Sequence, residues 1–395
     1  MPGQTRHGDT AAITLIIALL AMLGPFSIDT VFPAFDTISR EVGASPALMQ
    51  QLTSAYMLSF AVMSLFHGPV SDAVGRKPVM VVGLLAYAVA SAMCAVSGSF
   101  WLLVAGRLLQ GASAGAAQIL SRTVIRDLYV GPAAHRMMAQ VSMIFSIAPA
   151  VAPVVGGLVL GVGSWRWVFW GLTGLGLVLA AAVGFGLPET HTSGRTRLRV
   201  RLVFASLRMV LTDGPFLKLA AASMLGGAAQ FSYLMGAPII LVHLLGQGER
   251  DFWKLFVPLV SGMMVGSFLS SRLAHRVQPA RLVNGCLVAL LVLVSANVAL
   301  VASPVGSRLP WALLVPPLMA TAWSVCFPVL QLQMLDRFPQ HRGAAASGQS
   351  FTMLLFNAAL TGILVPLTAT SMLSVAATSA AMAGLGAVFW WWYRR

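Results

Sequence analysis

Acidic residues are scarce in this sequence. Of 395 residues only 11 are Asp or Glu, and all charged residues together make up 9%. A water-soluble domain carries roughly a quarter charged residues, so a soluble globular fold is excluded. Cysteine is nearly absent too. Cys94, Cys286 and Cys326 fall inside apolar runs, at spacings that suit neither a disulfide framework nor a zinc site. The sequence shows no clustered His, Asp or Glu at metal spacing, no phosphate-cradling glycine loop and no paired nucleophile and base. An enzyme is therefore not expected, and neither a metal nor another cofactor is implied. Strict apolar–polar alternation is missing as well, which excludes a membrane β-barrel. What fills the chain is hydrophobic residues, 58% of the total, in long runs. Lipid must cover that much apolar surface, and a span without alternation must be a helix of about 20 residues.

The runs predict twelve spans, near 12–35, 47–66, 79–97, 100–120, 137–160, 167–187, 215–242, 252–271, 279–301, 310–332, 343–365 and 371–392. The first continues past Pro25, lacks a small-residue cleavage site and is followed directly by further spans, so it reads as a retained helix. Sorting the basic residues by side of the membrane puts nineteen on one face and five on the other, with Arg107 left inside a span. The positive-inside rule then places both termini in the cytoplasm. The scattered distribution of Lys and Arg argues against nucleic acid as a partner; membrane lipid is the expected neighbour. Trp390 to Trp392, followed by Arg394 and Arg395, would anchor the last span at the interface.

The longest loop divides the chain into a bundle over 1–187, a linker over 188–214 and a second bundle over 215–395. In the linker, Leu198, Leu202, Ala205 and Met209 recur at helical spacing, while Arg197, Arg201 and Arg208 lie on another face. This pattern predicts a basic amphipathic helix on the inner leaflet.

Most acids lie in loops or near membrane edges, and Asp29 is the exception. It sits about seven residues before the outer end of the first span, and Arg107 about seven residues after the outer end of the fourth. At a rise of ~1.5 Å per residue both should lie about 10 Å below the outer surface. A charge at such depth costs at least ~2.5–3.5 kcal/mol, so it needs an aqueous cavity or a partner. The functional reading makes Asp29 the carrier of a coupling proton and Arg107 the group that tunes it; the competing reading is a static ion pair. Pro33 removes the hydrogen bond to the carbonyl of residue 29, which favours local water beside the carboxylate.

Gly68-Pro69-Val70-Ser71-Asp72-Ala73-Val74-Gly75-Arg76-Lys77-Pro78 follows the second span. This string resembles the signature between helices two and three of the major facilitator superfamily, with Ala73 where a basic residue is usual. Gly75 permits a tight turn, and Asp72 is read as facing the positive N-terminal end of another helix, such as helix eleven near Gly343, or pairing with Arg122 or Arg126, in a conformational lock that also involves Arg76 and Lys77. The fourth span, from Arg107 through Gly111 to Gly115, is similar to the superfamily's fourth-helix motif, and the stripe leaves room around the guanidinium. Pro149, Ala152, Pro153, Gly156 and Gly157 on the fifth span resemble the antiporter-branch signature. Gly24-Pro25-Phe26-Ser27-Ile28-Asp29, Arg126-Asp127 and Trp165-Arg166-Trp167 narrow the resemblance to the Bcr/CflA drug–proton antiporters over residues 12–190; afterwards the likeness is loose. After the eighth span the second-half counterpart of the signature has Ser271 where Asp72 would align.

The resemblance implies an all-α polytopic major facilitator fold, with twelve transmembrane helices in two six-helix bundles, in a bacterial inner membrane. It implies a proton-coupled exporter of drug-like small molecules, acting as a monomer. A transporter for one metabolite is the alternative. Tyr56, Phe60, Met143, Gln230, Tyr233, Phe351 and Asn357 are the cavity candidates, because apolar pockets with a few orienting polar groups suit lipophilic ligands. The stripes Ala148, Ala152, Gly156 and Gly262, Gly266, Ser270 permit close helix approach and are expected to meet across the two halves.

Overall fold

The computed structural model describes residues 7–191, 200–273 and 276–395, and those residues form an all-helical chain without strands. The helices are α1 (His7–Asp29), α2 (Phe35–Val42), α3 (Pro46–Val74), α4 (Arg76–Ala95), α5 (Phe100–Leu128), α6 (Gly131–Leu160), α7 (Arg166–Gly186) and α8 (Val200–Leu211). They continue with α9 (Gly214–Met235), α10 (Trp253–Leu273), α11 (Pro279–Ala302), α12 (Pro316–Asp336), α13 (Arg342–Ala359), α14 (Val365–Thr368) and α15 (Met372–Arg394). Ten helical segments are long and apolar enough to cross a bilayer. The other two of the twelve expected spans correspond to α5 and α9. Both are long, but they carry polar residues such as Arg107, Gln110, Gln230 and Tyr233 that are buried within the protein. Helices whose polar faces are hidden from lipid need less apolar composition to sit in a membrane.

Two compact units emerge. One comprises residues 1–31 and 55–203, the other 32–54 and 204–395. In the first unit α4 packs on α5 and α7, and α1 packs on α5 and α6. In the second, α9 packs on α15, α10 on α12, and α11 on α12 and α15. Helix starts follow local chemistry. Ser99, Asp213 and Ser371 each accept a hydrogen bond from a backbone N–H of the first turn that follows, which satisfies donors otherwise orphaned in an apolar medium.

The first span is not one continuous α-helix. α1 stops at Asp29, a 3₁₀ turn covers Phe32–Ala34, and α2 begins at Phe35. Pro33 cannot donate to an earlier carbonyl, so the break falls where the carboxylate is. Within the second unit, the stretch after this break is tied to later helices. Gln51 donates to the Gly362 carbonyl at 2.6 Å and Ser54 to the Ala358 carbonyl at 2.9 Å.

The stripe on α10 finds its partner inside its own unit instead of across the two halves. Gly262 and Gly266 approach the backbone of Pro317 and Thr321 on α12, and Ser270 donates to the Val325 carbonyl at 2.8 Å. This stripe is therefore a seam inside the second unit. On α6, the buried Ala148, Ala152, Pro153, Gly156 and Gly157 belong to a helix that packs against α1 in the first unit. Pro149 and Pro153 lie inside α6, which runs unbroken through both. In the linker, α8 spans Val200–Leu211 and carries Arg201 and Arg208; Arg197 and Leu198 lie outside the described residues. Val210 of α8 is fully buried, against Gly348.

Candidate functional site

The first unit encloses a buried polar network in an otherwise apolar interior. Its centre is Arg107 on α5, fully buried. The guanidinium donates through Nη1 to the Ser27 carbonyl at 3.1 Å and to Gln110 Oε1 at 2.7 Å. Its central carbon stands 4.6 Å from the centroid of the Tyr56 ring. Gln110 in turn donates to Ser91 Oγ at 2.8 Å, and the hydroxyls of Ser27 and Tyr87 share a 2.5 Å hydrogen bond. A buried charge is tolerable only when it is paired and its hydrogen-bonding capacity is used. Here α1, α3, α4 and α5 each supply a group.

Asp29, buried at the last turn of α1, lies within electrostatic reach of Arg107. The two deep charges thus lie in the same unit, close enough to interact electrostatically. Tyr56 joins them from α3, fully buried, and its hydroxyl finds no hydrogen bond of normal geometry among the described residues. Phe60 stacks edge-on against Tyr56, with ring centroids 6.4 Å apart. Ser27, Tyr87, Ser91 and Gln110 are the members that sequence reasoning missed. Gln110 was findable, since it follows Arg107 by three residues on the same helical face. The glycine stripe makes room differently from the expectation. Gly111 faces the Tyr56 backbone, and Gly115 faces the rings of Phe60 and His67. It lets α3 approach α5 closely, and the guanidinium is not what fills the space.

A second charged cluster surrounds the turn between α3 and α4. Gly75 adopts φ +118°, a conformation that favours glycine. Arg76, buried, pairs with Asp72 and donates through Nε to Asp127 at 3.3 Å and through Nη1 to Ser71 Oγ at 2.5 Å. Glu189 accepts hydrogen bonds from the backbone N–H groups of Arg76 and Lys77, at 3.0 and 3.2 Å. It therefore neutralises the positive end of α4. Asp127 also accepts from Thr190 at 2.9 Å. This corrects the expected pairing of Asp72 with Arg122 or Arg126. The Gly75 turn folds Arg76 back over Asp72, while Arg126 is exposed and Arg122 lies over the Phe145 ring, 5.7 Å from its centroid.

The remaining cavity candidates disperse. Met143 on α6 is exposed. In the second unit Gln230, Tyr233 and Asn357 are buried and Phe351 is half-buried. Tyr233 accepts from Asn297 Nδ2 at 2.6 Å, a partner on α11 that the sequence reading did not single out. Gln230 Oε1 is buried without a hydrogen-bond partner among the described residues. No group of three or more His, Cys, Asp or Glu able to hold a metal is found among the described residues.

Residues 17–361 match the family model of the Major Facilitator Superfamily. The chain is 27% identical over 275 residues to the bicyclomycin resistance protein homolog of Haemophilus influenzae, covering 69% of each chain. It is also 27% identical over 342 residues to multidrug resistance protein D of Escherichia coli, covering 85% of this chain and 84% of that one. Among solved structures, a bacterial homolog of the human lysosomal transporter Spinster superposes with a TM-score of 0.76 at 15% identity, over 98% of this chain and 97% of the other. A D-xylose–proton symporter superposes with a TM-score of 0.72 at 14% identity, over 97% of each. At such identities the structural likeness speaks to the fold alone.

Proposed function

We propose that this chain, which belongs to the Major Facilitator Superfamily, is a proton-coupled exporter of drug-like small molecules working by alternating access. The observation that carries this reading is the placement of Asp29. A carboxyl group sits buried at the broken end of α1, beside a fully buried Arg107. Membrane-embedded ionisable residues mark proton relays and substrate paths. Asp29 takes up and releases the coupling proton. When it is charged, Arg107 is its countercharge; when it is protonated, Arg107 is still held by Ser27, Gln110 and Tyr56. A network that supports the arginine in both states lets the acid titrate without collapse of the site.

The names of relatives in bicyclomycin and multidrug resistance support a drug-like cargo. Tyr56, Phe60, Gln230, Tyr233, Phe351 and Asn357 are the proposed cargo-facing residues, and Met143, exposed on α6, is a peripheral one. The cluster of Asp72, Gly75, Arg76 and Lys77, completed by Asp127 and Glu189, is the proposed conformational lock, with Arg122 and Arg126 flanking it. Pro149, Pro153, Gly156 and Gly157 shape the helix that packs on α1, the helix that ends at Asp29. The excess of basic residues on one side supports cytoplasmic termini, with the chain in a bacterial plasma membrane. It acts there as a monomer with lipid, protons and substrate as its partners.

A susceptibility panel in an efflux-deficient bacterium, with bicyclomycin among the compounds, tests this. Expression of the chain raises the tolerated concentration of at least one compound, and Asp29→Asn abolishes that protection. A panel with no Asp29-dependent protection overturns the exporter reading.

A further inference from the structure

Near the end of α15, Trp390 and Trp392 each hold a residue of a different neighbouring helix. The Lys218 ammonium of α9 stands over the Trp392 ring, 4.2 Å from its centroid. Trp390 donates through Nε1 to Asn284 Oδ1 on α11 at 2.6 Å, and α15 packs on both of those helices. Lys218 and Asn284 lie in the first two turns of α9 and α11, and the tryptophans in the last two turns of α15. One end of the second unit therefore gathers two helix starts and one helix stop.

Helical spacing then places the charges. The Arg395 N–H bonds to the Trp391 carbonyl, so the helical path runs to the last residue. Arg395 follows Trp392 by three residues and Arg394 follows Trp390 by four, which sets each one turn beyond its tryptophan on the same face. Arg281 precedes Asn284 by three and stands one turn nearer that same end. Lys218 and Arg395 thus flank Trp392, while Arg281 and Arg394 share the Trp390 side. Arg281, Arg394 and Arg395 are exposed and form no ion pair among the described residues. The acids at this end, Asp213 and Asp336, are already paired with Arg337 and Arg342.

The aromatic residues set the depth of this ledge. Trp391 and Trp392 are 42% and 55% exposed, and tryptophans facing lipid sit at headgroup level. The contact with Trp392 therefore holds the Lys218 ammonium at the depth of the lipid phosphates. Four cations there, with no acid left to neutralise them, complement an anionic headgroup, and such attractions add up residue by residue. A zwitterionic headgroup carries its own cation beside the phosphate and complements them less well.

We propose that Lys218, Arg281, Arg394 and Arg395, arranged around Trp392, form a binding site for the headgroup of an anionic phospholipid and select it over a zwitterionic one. Anchoring by the tryptophans alone would be indifferent to headgroup charge.

Native mass spectrometry of the full chain in detergent tests it, with dioleoyl phosphatidylglycerol and dioleoyl phosphatidylcholine titrated separately. Phosphatidylglycerol adducts half-saturate at about tenfold lower lipid concentration than phosphatidylcholine adducts. Lys218→Gln/Arg281→Gln/Arg394→Gln/Arg395→Gln removes that difference. Arg201→Gln/Arg208→Gln/Arg272→Gln/Arg276→Gln, a control with the same change in net charge, keeps it. Trp392→Leu retains all four cations but loses the ring under Lys218, and narrows the difference to about threefold. Equal half-saturation of wild type by the two lipids overturns the proposal. So does loss of the difference in the control, which would mark a diffuse attraction to every basic residue. Lipid binding is read without transport, so the outcome is independent of whether the chain exports drugs.

Discussion

Arg107 lies over the face of Tyr56, its guanidinium carbon 4.6 Å from the ring centroid, and both side chains are fully buried. A desolvated cation over an aromatic face is worth about 2 kcal/mol, and truncating a buried aromatic costs about 3–5 kcal/mol. Tyr56→Ala should therefore lower the thermal unfolding midpoint of the detergent-purified protein substantially. Tyr56→Phe keeps the ring and removes only a hydroxyl that lacks a normal hydrogen bond, so its midpoint should stay close to wild type. Equal losses in the two variants would assign the stability to the hydroxyl instead.

Two glycines separate tight packing from open space. A Cβ at Gly111 would fall on the Tyr56 carbonyl, whereas one at Gly171 on α7 meets nothing within 4 Å. Gly111→Ala should destabilise by about 1–3 kcal/mol through overpacking against backbone. Gly171→Ala should be neutral or stabilising by up to about 1 kcal/mol, from helix propensity. Thermal melts of the two variants side by side check the contrast.

Asp213 and Arg337 form a two-bond ion pair in the second unit, at 2.9 and 3.0 Å, and Asp213 also caps α9 through the Phe216 amide at 2.7 Å. Partial burial pushes the Asp213 carboxyl up, but the hydrogen bonds from Arg337 and Phe216 outweigh it, leaving the group below its ordinary range. A depressed carboxyl stabilises above its unfolded pKa of about 3.9, and that contribution fades as pH falls through the folded value. Asp213→Asn preserves a good cap residue and should cost at most about 1 kcal/mol at neutral pH. The loss relative to wild type should shrink as pH is taken below about 4. Asp213→Ala removes the cap as well and should cost about 1 kcal/mol more. Unfolding midpoints between pH 3 and 7 distinguish these outcomes.

Glu189 accepts two backbone N–H bonds at the start of α4, next to the Gly75 turn. Glu189→Ala leaves those donors unpaired and should lower stability by about 1–3 kcal/mol. If the cluster is a conformational lock, Arg76→Lys should impair transport more than stability. A lysine cannot reproduce the fork that reaches Ser71, Asp72 and Asp127 together. Parallel melts and susceptibility assays on the two variants would show whether the losses separate.

Much of the fold was legible because its cause is composition. Spans without alternation have to be helices in lipid; the break just after Asp29 was not expected, although Pro33 was read as leaving the Asp29 carbonyl unpaired. Asp29 and Arg107 were legible because deep charges are costly and rare. Ser27, Tyr87 and Ser91 were not, since neutral hydroxyls inside apolar runs usually bond to their own helix and carry no signal of a distant partner. The Asp72 partner was misread for a geometric reason. Spacing places Arg122 and Arg126 within range, but only the Gly75 turn shows that Arg76 folds back first. The glycine stripes were legible as close approaches, while the helix on the other side of each was not, because a small residue does not specify what it touches.

Proton release from the purified protein tests the assignment of Asp29 most directly. The compound whose toxicity the chain relieves is added to weakly buffered detergent solution, and the pH change is recorded alongside binding. Wild type should release protons as the compound binds, while Asp29→Asn should still bind it and release none. Release from Asp29→Asn equal to that from wild type would place the coupling proton elsewhere and leave the Asp29–Arg107 pair a structural one.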